Sequence, residues 1–371
     1  MECKRIFINA LSAKLGGGQT YILNLLKNLP EEDLVIYIAC PELALLPEDK
    51  RVTFVKSKVA NKNIFFRMLW EFFCLPFLLV KLKASVLFVP GGMDFTLVTF
   101  GVPKVTMFRN MLPFDKVAIQ YLPSKKLKFK NFILKHLMAR TMGSANHVIF
   151  ISNYAKKCIE NDIKVKNSTV IYHGISSIFT HIEKQKEKQK YLLYVSRFEP
   201  YKNHLNLIVA YNKLNERYRE KYKLVLAGEL IEPFYSECIE YVEKNKLSGS
   251  VIFKGKVPYE KLPELYQHAS LFIFPSSCEN CPNILLEAMG CGVPIIASKV
   301  EPMPELSKNA GLYFNEKNPD DIQSCLNHVL STYNLLDEMR EKSIKVSKSY
   351  SWEQTAHKTW ECLNSVGEKN V

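Results

Sequence analysis

Short apolar runs alternate with amphipathic stretches along almost the whole of this 371-residue chain. Residues 5–10, 34–40, 52–55, 86–89 and 104–108 read as strands, and 148–151 and 169–172 follow them. Between them, residues 20–29 line up Ile22, Leu25, Leu26 and Leu29 on one helical face, and 124–142 forms a second, basic helix. The polar stretch 180–190, THIEKQKEKQK, has no periodicity and reads as a linker. The alternation then restarts, with strands at 191–196, 223–227, 251–254, 271–274 and 293–297. Helices are expected over 204–214, 232–245, 260–269 and 319–332, and a last amphipathic helix over 352–363. Such an order predicts an α/β chain with parallel sheets covered on both faces. It divides into two doubly wound domains, 1–179 and 191–349, with a cleft between them and a C-terminal helix and tail at 350–371.

Two segments fit the pattern less simply. The most apolar window, 64–80, is interrupted by Arg67 and Glu71 and broken by Pro76, so it is too short and too charged to span a bilayer. It reads either as a buried helix or as a helix lying in a membrane interface. Residues 124–140 carry Lys125, Lys126, Lys128, Lys130, Lys135 and Arg140 among Leu127, Phe129, Phe132, Ile133 and Leu137. That is either a solvated helix face packed on a sheet or a basic amphipathic surface resting on anionic lipid.

An apolar fraction of 47% with 23% charged residues describes a globular chain and excludes a disordered one. The net charge of +13 fits nucleic acid, an anionic membrane surface or a phosphorylated substrate. Neither a recognition-helix module nor a base-stacking set accompanies it, so nucleic acid is not expected as a partner, and a basic nucleic-acid-binding protein is the alternative of another class. The ten cysteines lack paired metal-ligand spacing. Cys278 and Cys281 form a lone C-x-x-C, so no metal is expected. Unpaired thiols and an N-terminus running straight into a strand place the chain in the cytoplasm, peripheral at the inner face of a membrane if the basic helix touches lipid.

The candidate chemistry is concentrated in FIFPSSCENCPNILLEAMGCGVPIIAS, residues 272–298. Glu279 lies on the loop at the C-terminal end of a strand, and Glu287, with seven residues between the two, lies in the helix that follows. Ligands bind at that edge of an open α/β sheet. The leading amides of the helix, at Asn283, Ile284 and Leu285, would favour an anion such as a nucleotide phosphate. The segment SRFEPYKN, 196–203, follows the first strand of the second half, and Arg197 and Lys202 could both reach one phosphate there. Gly16, Gly17 and Gly18, after the first strand of the chain, let backbone approach a ligand closely, although they match neither a dinucleotide nor a Walker fingerprint. His173 and Gly174 close the first half, and His173 reads better as a packed turn residue than as a catalyst.

In this order, the E-x7-E pair, S-R-F-x-x-x-K-N, the glycine loop, H-G-I-x-x-x-F and the final S-W-E-x-T-A resemble the retaining family 4 glycosyltransferases of GT-B fold. The resemblance implies two Rossmann-like domains facing across a cleft, with the C-terminal helix crossing back to the first. It implies a metal-independent enzyme that needs no cofactor. Such an enzyme moves a sugar from a nucleotide-diphosphate donor to a glycan or polyprenyl-linked acceptor with retention, in bacterial surface polysaccharide assembly such as O-antigen, capsule or lipopolysaccharide. Arg197 and Lys202 would then hold the diphosphate, Glu287 the ribose hydroxyls and Glu279 the transferred sugar. The amides of Asn283 and Ile284 would meet donor sugar or phosphate. Gly16, Gly17 and Gly18 would abut donor phosphate or acceptor. The sequence departs from the family at Asn280, Cys281 and Pro282, where many relatives carry a glycine and an aromatic. It departs again at Arg109 and Asn110, which stand where many relatives carry a histidine and would take over its sugar contact. A nucleotide-sugar epimerase or a sugar phosphorylase of the same fold is the alternative.

Overall fold

The computed structural model describes residues 4–13, 16–41, 48–180 and 190–368. Among these residues the strands form two sheets. The first holds β1 (Lys4–Asn9), β2 (Leu34–Ala39), β3 (Val52–Phe54), β4 (Val86–Val89), β5 (Lys104–Phe108), β6 (His147–Phe150) and β7 (Ser168–Val170). The second holds β8 (Tyr191–Val195), β9 (Lys223–Ala227), β10 (Val251–Gly255), β11 (Leu271–Phe274), β12 (Ile295–Ser298) and β13 (Gly311–Phe314). Every pairing is parallel, and the orders are 3-2-1-4-5-6-7 and 10-9-8-11-12-13. The central strands β4, β8, β11 and β12 are buried throughout, which is why they read as continuous apolar runs rather than alternating ones.

The chain separates into two compact units, each built around one sheet. Unit 1 comprises residues 1–114, 126–174 and 352–371; unit 2 comprises 115–125 and 175–351. The units therefore divide at 174/175, short of the expected linker, which apart from its first and last residues lies outside the described residues. Residues 115–125, expected in the first domain, cluster with the second. In both sheets the strand order reverses between two neighbours, β1 and β4 in unit 1 and β8 and β11 in unit 2. The loops leaving these strands diverge to opposite faces and open a crevice at the carboxyl edge.

The last helix, Trp352–Glu368, belongs to unit 1 and runs five residues beyond its expected end. Trp360 is buried and donates from Nε1 to Asn28 O at 2.9 Å. Thr355 Oγ1 donates to Tyr172 O at 2.8 Å, and Tyr21 and Thr359 share a hydroxyl hydrogen bond of 2.9 Å. His173 is buried between Tyr21 and Trp352, with ring centroids 5.9 and 5.4 Å away. It is a packed turn residue, and the H-G-I turn and the S-W tail are two halves of one aromatic contact.

Candidate active site

In unit 2 the loop leaving β8 and the loop leaving β11 meet at the switch point. Lys202 Nζ and Glu279 Oε1 form an ion pair, with side chains only 11% and 12% exposed. Tyr201 closes one side: its ring centroid lies 5.3 Å from Lys202 Nζ, and its hydroxyl donates to Glu199. The pair is held by a clamp of hydrogen-bonded neighbours. Asn203 adopts a left-handed conformation, φ 53°, which asparagine tolerates better than most residues. Its Nδ2 donates to Pro275 O and to Ser277 Oγ, both at 2.7 Å. Ser277 Oγ donates in turn to buried Glu316 at 3.1 Å, and Ser277 N donates to Tyr201 O at 2.8 Å. The loops after β8, β11 and β13 are thereby tied together, which fixes Lys202 relative to Glu279 without a ligand.

Arg197 is not brought to that pair. Its side chain is 57% exposed, and Nε donates to Glu229 Oε2 at 2.9 Å, on the loop after β9. Glu199, 3.5 Å from Arg197 Nη1, links it to the Tyr201 hydroxyl. Beneath this loop His204 stacks on Phe198, centroids 3.9 Å apart and planes 17° from parallel. Burial, reinforced by nearby Lys202, pushes its imidazole down to about 3, so it packs as a neutral ring.

The helix Asn283–Gly290 starts on Pro282, whose carbonyl accepts from Leu285 N and Leu286 N at 3.1 and 3.3 Å. Pro282 caps the helix from the residue before it, and no acidic side chain sits in the first turn. The amides of Asn283 and Ile284 form the leading, positive edge of the helix. Glu287 lies on this helix and is buried. Desolvation pushes its carboxyl up to about 7, while the Tyr266 hydroxyl pulls the other way. Cys278 and Cys281 are both buried and form no disulfide. Burial holds the Cys278 thiol well above its usual range, with Asp115 and Glu279 adding to the effect, so it is not a thiolate near neutrality. Among the described residues no three His, Cys, Asp or Glu side chains gather as a metal-ligand set.

In unit 1, Gly16 has φ +64° and precedes the helix Gly17–Lys27. Gly18 lies against the loop after β5: a Cβ there would sit 3.3 Å from Ala13 Cα and from Arg109 Nη1. Arg109 Cζ is also 5.7 Å from the Tyr21 ring. The glycine loop and Arg109 are thus neighbours at the carboxyl edge of this sheet. Asn110 is exposed, and its Oδ1 accepts from Leu112 N at 3.2 Å, a turn-stabilising contact.

Sequence reasoning missed Asn203, Ser277 and Glu316 as positioning residues, although an asparagine between two structured segments is a usable signal for a left-handed turn. It also missed Gly228, which follows β9 with φ +150°; a Cβ there would lie 1.9 Å from Ser196 O. Gly228→Ala is expected to push the Ser196–Arg197 backbone aside, costing about 1–3 kcal/mol of stability in thermal or urea unfolding.

The chain matches the family described as Glycosyl transferases group 1 over residues 178–346 and Glycosyltransferase Family 4 over residues 15–177. It belongs to the family 4, group 1 glycosyltransferases, and its two doubly wound units are those of the GT-B fold. It is 34% identical over 176 residues to O-antigen chain mannosyltransferase B of Escherichia coli. That match covers 46% of this chain and 45% of the relative, so the matched part spans less than half of that protein. In structure it is similar to a sucrose-phosphate synthase of Thermosynechococcus elongatus, with TM-score 0.77, 15% identity and 98% and 99% of the two chains covered. It is also similar to Anabaena HepE, solved in complex with UDP-glucose, with TM-score 0.71, 16% identity and coverage of 97% and 99%.

Proposed function

We propose that this protein transfers a sugar, with retention, from a nucleoside-diphosphate sugar to a glycan or polyprenyl-linked acceptor in surface polysaccharide assembly. The observation that carries the reading is the Lys202–Glu279 pair, clamped at the switch point beside the leading amides of the Asn283–Gly290 helix. The UDP-glucose bound by HepE and the mannosyl transfer named for the E. coli relative supply the substrate class.

In this reading the diphosphate spans Lys202 and the amides of Asn283 and Ile284. As the bond from the anomeric carbon to the phosphate oxygen breaks, charge builds on the departing nucleoside diphosphate, and a fixed ammonium with aligned amides stabilises it. Glu279 accepts hydrogen bonds from hydroxyls of the transferred sugar, and Glu287 from the ribose. The acceptor hydroxyl forms the new bond on the same face, and its proton passes to the leaving phosphate oxygen, so the chain needs neither a nucleophile nor a metal of its own. Arg197, exposed between Glu199 and Glu229, can swing to the outer phosphate oxygens once a donor arrives. Gly18 and Arg109 belong to the acceptor side.

A thermal-shift screen against UDP, GDP, ADP and their sugars tests the donor half. One nucleotide family should raise the melting temperature by mass action, and no response to any of them would sink the proposal. Transfer in the presence of EDTA should continue at its original rate. Turnover of the donor sugar without an acceptor would indicate epimerisation instead, and release to inorganic phosphate would indicate a phosphorylase.

A further inference from the structure

Unit 1 turns its most apolar helical run inside out. The run comprises the helix Ile64–Leu69, a π-helical turn Trp70–Cys74 and the helix Leu75–Lys81. Of its three charged side chains, Arg67 and Glu71 face inward and Lys81, at its end, is exposed. Glu71 is wholly buried, and it accepts from Arg67 Nε at 2.6 Å, from Asn9 Nδ2 at 2.8 Å and from Phe95 N at 2.9 Å. Arg67 Nη2 donates to Met93 O at 2.7 Å. This hub satisfies polar groups at the end of β1 and on the loop after β4, and it dictates which face of the run points outward. Phe65, Phe72, Phe73 and Val80 are exposed on that outer face, and Phe77 is 68% exposed. Phe77 lies against exposed Phe100, centroids 5.9 Å apart, and Leu97 and Val98 are exposed beside it in sequence. Contiguous apolar surface of this kind marks an interaction site.

The charged residues of the sequence stretches that carry it are mostly of one sign. The parts of unit 1 covering residues 52–114 and 126–159 contain fifteen Lys and Arg against two acids, Glu71 and Asp94. Both acids are buried, paired with Arg67 and with Lys104, the latter at 3.1 Å. The exposed ionised groups of these stretches are therefore all cationic. The C-terminal end of the basic helix Lys125–Ser144 borders the same loop, where Asp94 N donates to Thr141 Oγ1 at 3.2 Å. It exposes Phe129, Phe132 and Ile133 between its lysines.

We propose that this face docks on an anionic lipid bilayer, with the phenylalanines at the headgroup–acyl boundary and the lysines on headgroup phosphates. A second copy of the chain would set two cationic faces against each other. A nucleic acid would use the charge but leave the aliphatic and phenylalanine cluster without a partner. The inference stands whether or not the donor reading above is right.

Flotation of the full chain with vesicles of phosphatidylcholine alone and of phosphatidylcholine with phosphatidylglycerol tests it. Binding should require the anionic lipid and weaken as salt rises. The triple variant Phe72→Ser, Phe73→Ser, Phe77→Ser should bind about tenfold or more less tightly, because single exposed chains make little fold contact but each adds buried apolar area in lipid. The triple variant Lys126→Gln, Lys128→Gln, Lys130→Gln should lose the preference for phosphatidylglycerol. Both should melt as the wild type does, which separates docking from folding. Absence of vesicle binding by the wild type, or phenylalanine variants that bind as it does, overturns the proposal. So does a dimer in sedimentation that the phenylalanine variants abolish, or a salt-sensitive gel shift with nucleic acid in place of flotation.

Discussion

Replacing Lys202 with methionine is expected to lower sugar transfer by about 10²–10³-fold, the usual effect of removing one preorganised charge from a site where negative charge develops. Methionine fits the space of the buried Lys202 side chain but leaves the Glu279 carboxylate without its cation, so the loss should appear in folding as well as in turnover and nucleotide affinity. Arg197→Ala should cost less, about tenfold, because that guanidinium is mostly solvated and shared between Glu199 and Glu229. Glu279→Gln is expected to split two quantities that usually move together. In the ligand-free protein Glu279 occupies Lys202, so an incoming diphosphate competes with a carboxylate. Removing that charge should tighten binding of the free nucleoside diphosphate by about tenfold, measured by calorimetry, while turnover falls because, in the proposed role, the sugar hydroxyls lose a charged acceptor. Equal or weaker nucleotide binding by Glu279→Gln would show that the two groups do not compete.

The site was legible to the extent that it depends on chain order. An E-x7-E pair after one strand and a lysine after another can meet only if those strands are adjacent, and the doubly wound order makes β8 and β11 neighbours. Partners set by a third loop were not legible: Glu229, which takes Arg197, follows β9. The burial of 64–80 was the least readable feature. Hydrophobicity argues that phenylalanine goes in and Arg67 and Glu71 go out. The reverse holds because Arg67 and Glu71 supply the hydrogen-bond partners of Asn9, Phe95 N and Met93 O, and leaving these buried groups unsatisfied would cost more than exposing the rings. No period in the sequence encodes that requirement. The glycines of the first loop were read as points where a ligand approaches the backbone; the structure sets Gly18 beside Arg109, while Gly228 passed unnoticed because its constraint comes from Ser196, thirty-two positions earlier.

Glu287→Gln is expected to make the ligand-free protein more stable above neutral pH while weakening nucleotide binding. Burial raises this carboxyl from about 4.5 to about 7, so between those values the folded chain holds a proton that the unfolded chain has released. The resulting stability is fully present below about pH 4.5 and is lost as pH rises through 7. Two and a half pH units correspond to about 3 kcal/mol. Glutamine removes that loss, so the variant should gain about 2–3 kcal/mol at pH 8, a rise of several degrees in melting temperature. His204 has the opposite sign. Held down to about 3 by burial, it contributes stability that is present above about pH 6.5 and is lost as pH falls. In the wild type the two slopes oppose each other between about pH 4.5 and 6.5, and stability there should be nearly flat. Removing Glu287 uncovers the histidine, so Glu287→Gln should lose stability with acid by about 1.4 kcal/mol per pH unit below 6.5. Nucleotide binding adds the functional half. If Glu287 takes the ribose as proposed, a ribose hydroxyl donates to the ionised carboxylate, so affinity in the wild type should rise as pH passes through 7, with proton release on binding, and the glutamine variant should show neither. A wild type and variant with parallel stability curves would mean that Glu287 is already ionised in the folded protein, and the link between its burial and its proposed role would fail.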